Sequence, residues 1–217
     1  MVAPSRPSRS SLPRPEIDLD PDTPHVSDFY GYGEELTDDE RATLRRLREL
    51  LAAEVAPRVE QAWEDAEFPL ELVNAFASLD LAGAPYGIGA GRTERARRLF
   101  LGFMHAEIAR VDASVNSFFG VHTGLAMGSI DACGTAEQRE RWLPSMAAME
   151  TIGAFGLTEP HGGSDVAGGM ETTARREGDE WVLDGHKRWI GNGTFEIGRA
   201  TRLNSSHSGE SRMPSSA

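Results

Sequence analysis

The chain has 217 residues, 39% hydrophobic and 26% charged, with 22 basic against 34 acidic side chains and a formal net charge of −12. That is enough apolar sequence for one or two domains with a real core, and the acidic balance argues against a general nucleic-acid binder, because phosphates would be repelled. No apolar run is long enough for a membrane-spanning helix, the first residues carry no apolar stretch of a secretory signal, and the single cysteine, Cys133, excludes a disulfide framework and a cysteine-built metal site.

Residues 1–36 read as an unstructured tail. Pro4, Pro7, Pro13, Pro15, Pro21 and Pro24 fix φ and remove backbone donors. Arg6, Arg9 and Arg14 among serines suggest an organelle transit peptide, but the prolines break the amphipathic helix such a peptide needs, so a flexible tail is the preferred reading. Order is predicted from Thr37, where Thr37-Asp38-Asp39-Glu40 forms a capping box ahead of Leu44, Leu47, Leu51 and Val55 at helical spacing. Pro57 is expected to end or kink this helix. A second helix is predicted over 69–79, with Leu72, Val73, Phe76 and Leu79 inward, and the glycine-rich stretch 83–91 reads as a plain loop because no strand precedes it and no lysine follows. A third helix spans 93–112 with Leu99, Phe103, Ala106 and Ile108, and Glu107 and Arg110 are spaced to pair on its surface. Residues 114–132 read as a helix buried among helices, broken at Gly134, and a second capping box, Thr135 with Gln138, opens a helix through Met149.

The period then changes. Residues 151–158 read as a buried strand, 172–176 and 181–184 as short strands around Glu177-Gly178-Asp179, Asp184-Gly185 as a second tight turn, and 186–190 as the next strand. The expected class is α+β: an all-α N-terminal domain followed by the opening strands of an antiparallel, barrel-like β domain. The divisions are a tail at 1–36, a helical domain at 37–150, a partial β domain at 151–195 and a non-native or disordered tail at 196–217.

The most informative stretch is Phe155-Gly156-Leu157-Thr158-Glu159-Pro160-His161-Gly162-Gly163-Ser164-Asp165. Its glycines let backbone amides approach a ligand, with the Thr158 and Ser164 hydroxyls nearby, so the turn can hold an anion; a plain surface loop is the competing reading. His105, His122, His161 and His186 show no metal spacing, and a solvated loop position is expected for His161. Cys133 reads as a small packed residue at a helix end.

Thr158-Glu159-Pro160-x-x-Gly163-Ser164-Asp165, followed by Asp184-Gly185-x-Lys187-x-Trp189-Ile190-x-Asn192, resembles the acyl-CoA dehydrogenase family. Glu107-x-x-Arg110-x-Asp112-x-Ser114 and Gly134-Thr135-x-x-Gln138-x-x-Trp142-Leu143-Pro144 resemble the preceding helices of that family, in the same order, over residues 37–195. The variants at 155–158 and 187–192 lean toward the branch of glutaryl-CoA dehydrogenases and short-chain acyl-CoA oxidases. The resemblance implies an FAD enzyme that removes an α proton and a β hydride from an acyl-CoA. It places Phe155, Gly156, Leu157 and Thr158 along the flavin, Gly163 and Ser164 at the pyrophosphate, and Trp189, Ile190 and Gly191 against the ring system, with Ser164 also near the acyl-CoA. Without the flanking motif, Trp189 alone reads as a sheet-core tryptophan. The family often has threonine or serine where this chain has Gly191. Glutaryl-specific members carry an arginine where this chain has Asn116, so Asn116 and Ser117 are candidate substrate-pocket residues and a dicarboxylate substrate is disfavoured.

The resemblance also implies an electron-transfer flavoprotein as acceptor, a homotetramer or homodimer at full length, and a cytoplasmic setting. It places the catalytic base, a glutamate, in a C-terminal helical domain, so no glutamate of this chain is assigned that role and Glu159 is read as structural. Two alternatives stay open: a flavin oxidase or monooxygenase on the same fold, and a non-catalytic helical interaction module. Beyond Phe195 the pattern is lost. Ile197-Gly198-Arg199-Ala200, Thr201 through His207 and Ser211 through Ala217 resemble, in order, a translated sequencing-library adapter, so the native chain is expected to depart from this sequence near Phe195.

Overall fold

The computed structural model describes residues 23–89 and 94–193, together with the backbone of 211–214. The helical part opens with α1, Asp38–Leu50. Its cap is the expected box: Thr37 Oγ1 accepts from the Glu40 amide at 3.2 Å, and Glu40 Oε2 accepts from the Thr37 amide at 2.9 Å. The helix does not stop at Pro57. It widens into a π-helical turn over Leu51–Val55, in which the Ala56 amide reaches back to Leu51 O, and continues as α2, Ala56–Asp65. The wider turn comes just before Pro57, so the residue that lacks an N–H enters at the start of a fresh helical segment, where none is required.

Next come α3 (Glu71–Ser78), α4 (Arg98–Val111) and α5 (Ala113–Gly120). A second π-helical stretch, Val121–Met127, leads into α6 (Gly128–Cys133), and α7 (Ala136–Ala147) follows behind the second capping box. Leu47, Leu51, Val55, Leu72, Phe76, Met104, Ile108 and Phe119 are fully buried in one core. A smaller cluster of Ala126, Met127, Leu143, Met146 and Ala147 sits beneath the second half of the helical part.

Several expectations are corrected here. The ordered chain starts before Thr37: Thr23 O accepts from Arg48 Nη1 at 2.7 Å, and Tyr32–Glu35 forms a 3₁₀ turn whose start is held by Asp28, which accepts from the Tyr32 and Gly33 amides. Glu107 is not a surface residue. The inward stripe of α4 is Phe100, Met104, Glu107, Ile108 and Val111, so Glu107 lies on the core face with no exposed surface, held by Arg48 Nη2 at 2.6 Å and by Arg110. Leu99, Phe103 and Ala106 flank that stripe, half-buried. Cys133 is exposed, because as the last residue of α6 it turns away from both cores.

The β part is a small antiparallel sheet in the order β1 (Thr173–Glu177), β2 (Glu180–Asp184), β3 (Ser211–Pro214). β1 and β2 form a hairpin closed at the Glu177–Glu180 pair, with Gly178 at φ 62 supplying the left-handed turn residue. Val182 is its buried residue. Residues 151–158 and 186–190 are not strands: among the described residues neither has a ladder partner, and one backbone bond, Arg188 N–H to Thr158 O at 2.8 Å, joins them. The expected turn at Asp184-Gly185 is instead a close approach. Gly185 has φ 156, and a Cβ there would lie 2.2 Å from Thr172 Oγ1. Apart from β3, the expected tail at 196–217 lies outside the described residues.

Candidate functional site

After α7 the chain turns at Met149, which has φ 56, and runs extended across the helical part. Ile152 is buried. Gly153 donates its N–H to His122 Nδ1 at 3.0 Å, and its carbonyl accepts from Asn192 Nδ2 at 3.2 Å. His122 is fully buried, and its Nε2 faces Met146 O at 2.9 Å. With Nδ1 accepting and Nε2 donating, the ring is neutral, and burial lowers its pKa below the ordinary 6.5.

Residues 155–158 follow. Their carbonyls hold the neighbouring segment: Leu157 O accepts from Lys187 Nζ at 3.1 Å, and Thr158 O accepts from the Arg188 amide. Among the described residues no acceptor is paired with the amides of 155–158. The turn after Thr158 is closed by mutual bonds between Glu159 and Gly162, with Glu159 N–H to Gly162 O at 2.9 Å. The Glu159 side chain points inward, where Oε1 accepts from Lys187 Nζ at 2.7 Å and from the Thr172 amide at 3.1 Å, and Oε2 accepts from the Glu171 amide at 2.6 Å. Lys187 first, and then these donors, pull its pKa down to about 2. Glu159 is therefore the tie that gathers the turn, the start of β1 and Lys187 into one unit.

The expected cofactor residues fall into two adjoining groups. Gly156 lies against Lys187, since a Cβ there would be 3.7 Å from Lys187 Cγ, and Gly163 lies against Thr158, 3.8 Å from its methyl by the same measure. Ser164 is exposed. Trp189 is 81% exposed and adopts φ 58, a conformation that costs a residue with a β-carbon about 1–2 kcal/mol. The Arg188 guanidinium lies 4.8 Å from the Trp189 ring centroid, which covers one face and leaves the other open. Ile190 is half-buried and Gly191 exposed. A Cβ at Gly191 would meet only Val121 Cγ2, at an ordinary 3.5 Å, so packing does not demand glycine there.

The expected substrate residues sit on α5. Asn116 Oδ1 faces His105 Nδ1 at 2.9 Å, which puts the proton on that ring nitrogen, and Ser117 is exposed. The same helix joins the cofactor group, because Phe118 O accepts from Asn192 Nδ2 at 3.0 Å. His161 is exposed. Among the described residues no three His, Cys, Asp or Glu side chains gather as a metal cluster, and no helix is long and apolar enough to cross a membrane. Sequence reasoning gave no role to His122, Gly153 or Asn192. A histidine inside an apolar helix was the available signal, but its partner lies 31 positions away.

Residues 37–150 match the family model described as acyl-CoA dehydrogenase, N-terminal domain, and residues 154–198 match the model of the middle domain. The chain belongs to the acyl-CoA dehydrogenase family. The resemblance read from the motifs holds, as does the predicted order of a helical domain followed by antiparallel strands. An acyl-CoA dehydrogenase of Bacillus subtilis (strain 168) is 35% identical over 159 residues, covering 71% of this chain and 40% of its own length. Among solved structures, a glutaryl-CoA dehydrogenase from Mycobacterium smegmatis in complex with FADH2 aligns with a TM-score of 0.69 at 36% identity, over 79% of this chain and 44% of that one. An acyl-CoA dehydrogenase complexed with FAD from Bacillus anthracis aligns with a TM-score of 0.66 at 30% identity, over 75% of this chain and 28% of that one. The chain thus spans about two fifths of the length of the curated relatives it matches.

Proposed function

We propose that residues 155–158, 163–164 and 187–191 form the flavin-facing part of an FAD site, and that the full-length protein removes two hydrogens from the α and β carbons of an acyl-CoA thioester. The observation that carries this reading is the side-by-side placement of the two segments, with amides on one that have no acceptor among the described residues and an open tryptophan face on the other. FAD would fit the donors present: the amides of 155–158 and the Thr158 hydroxyl toward the ring edge, Gly163 and the Ser164 hydroxyl toward the pyrophosphate, and the open face of Trp189 against the ring system. When bound, FAD supplies the hydride acceptor. The chain's own residues orient it and exclude water from it. With no hydroxyl at Gly191, that position contributes backbone only.

Glu159 is not the base for the α proton. A carboxylate held at a pKa of about 2 by Lys187 and two amides has little affinity for a proton. On this reading the 217-residue chain binds FAD weakly and does not turn over, because a positioned general base contributes about 10²–10⁴-fold to proton transfer and none stands at this site among the described residues. The substrate side is α5, where neutral Asn116 and Ser117 favour a monocarboxylic acyl group, and reduced flavin passes electrons to an electron-transfer flavoprotein. Titration of the purified chain with FAD, followed by assay with a range of acyl-CoAs and an artificial acceptor, tests this. Weak flavin binding without turnover is expected, and stoichiometric flavin with turnover overturns it.

A further inference from the structure

Among the described residues no ladder ties the two flavin-facing segments to the helical part; the side-chain ties gather around one residue. Gly153 has both backbone groups bound by side chains from elsewhere: its N–H by His122 Nδ1 at 3.0 Å and its carbonyl by Asn192 Nδ2 at 3.2 Å. Each of those side chains is anchored a second time on a helix. His122 Nε2 donates to Met146 O in α7, and Asn192 Nδ2 donates to Phe118 O in α5. The fit around Gly153 is tight. A Cβ there would lie 2.5 Å from Ala126 Cβ and 2.6 Å from Met146 Cε, so only glycine lets the backbone reach both partners. Asn192 takes φ 64, a left-handed position that asparagine tolerates better than most residues.

We propose that His122 and Asn192 are positioning residues that clamp Gly153 from its two sides, and so lock residues 155–158 and 187–191 onto the helical domain as one unit. The catalytic meaning of the clamp rests on the flavin reading above; the clamp itself does not. The two nitrogens of His122 have separate jobs. The Nε2–Met146 bond fixes the ring, and the Nδ1–Gly153 bond passes that fixity to the cofactor face. An asparagine side chain places its oxygen near Nδ1 of the histidine it replaces, whereas a glutamine reaches the position of Nε2. His122→Asn therefore keeps the bond that matters, and His122→Gln keeps the other one.

The reporter is the Arg188 amide, which donates to Thr158 O at 2.8 Å and touches neither His122 nor Gly153 directly. Its hydrogen exchange is measured by NMR in the 217-residue chain. Leaving a buried donor unpaired is worth about tenfold in an opening equilibrium. His122→Phe and Asn192→Asp are each expected to speed Arg188 exchange by about that factor while α1 and α4 amides keep their rates. His122→Asn is expected to stay near wild type, and His122→Gln to behave like the phenylalanine variant. The double variant His122→Phe with Asn192→Asp is expected to exchange no faster than the faster single one, because both bonds serve the same residue. If His122→Phe also loosens α1 and α4, the asparagine–glutamine comparison decides alone. Equal rescue by glutamine and asparagine, additive effects in the double variant, or an Arg188 rate unmoved by His122 variants overturns the proposal. FAD affinity, read by quenching of flavin fluorescence, is expected to fall in the same order. An intact exchange pattern with no FAD binding by the wild type leaves the clamp standing and rejects the flavin reading; normal FAD binding with no exchange effect does the reverse.

Discussion

Replacing Trp189 with alanine should weaken FAD binding without weakening the fold. The ring is 81% exposed and one of its faces carries the Arg188 guanidinium, so the folded chain gains little from it in the absence of ligand. A tryptophan offers at most about 250 Å² of surface. Four fifths of that, halved because only one face is open, leaves about 100 Å² for a planar ligand to cover. At ~25 cal/mol per Å² the contact contributes about 2.5 kcal/mol, or roughly sixtyfold in Kd. His161→Ala is the control, because His161 is an exposed residue of the turn between the two cofactor-facing groups. The assay is a fluorescence titration of FAD into wild type and both variants, with thermal unfolding of the ligand-free proteins alongside. Trp189→Ala should lose affinity by about the stated factor, with an unchanged Tm, and His161→Ala should bind as wild type does. Equal losses in the two variants, or a fall in Tm that accounts for the weaker binding, would refute the placement of the tryptophan.

Glu107→Gln should destabilise the helical part by about 3 kcal/mol in urea unfolding, because it removes the buried carboxylate charge to which Arg48 and Arg110 both pair; a loss under about 1 kcal/mol would show that water or another group compensates. Stability should fall with pH in two stages. His122 has a lowered pKa in the fold, so below the ordinary 6.5 the unfolded chain takes up the proton first and the folded state loses ground, and His122→Asn should remove this stage. Glu159 contributes fully above the ordinary 4.5, and that contribution drains away as pH falls toward about 2; unfolding midpoints that stay flat across both ranges would contradict the assigned partners. In the full-length protein, butyryl-CoA should be oxidised faster than glutaryl-CoA, since Asn116, paired with His105, offers no fixed cation for a distal carboxylate; a preference for glutaryl-CoA would place another arginine in that pocket.

What was legible in the sequence was what is decided locally. The two capping boxes and the β1–β2 hairpin each rest on a few neighbouring residues, and each forms where the residues predict. Burial of Glu107 was not legible, because the i, i+3 spacing to Arg110 is the same on a wet face as on a dry one, and the deciding partner, Arg48, comes from another helix. The apolar run at 151–158 has strand composition, but strandhood depends on a ladder partner, and this run spends its bonds on His122, Asn192, Lys187 and Arg188 instead. The motif residues of the candidate site were found by resemblance. Their attachment to the helical part was not, because a π-helical stretch carries His122 and a regular 3.6-residue period gives no register through it.

We have proposed that residues 155–158 and 187–191 form the flavin face of this chain. The most direct test is amide hydrogen exchange of the 217-residue chain with and without FAD, raised to its solubility limit. The amides of 155–158, which have no acceptor among the described residues, should exchange fast in the free chain and become protected with FAD, together with those of Gly163, Ser164 and 189–191. Flavin binding that leaves 155–158 fast, or protects a different surface, or no binding at the highest FAD reached, would contradict it.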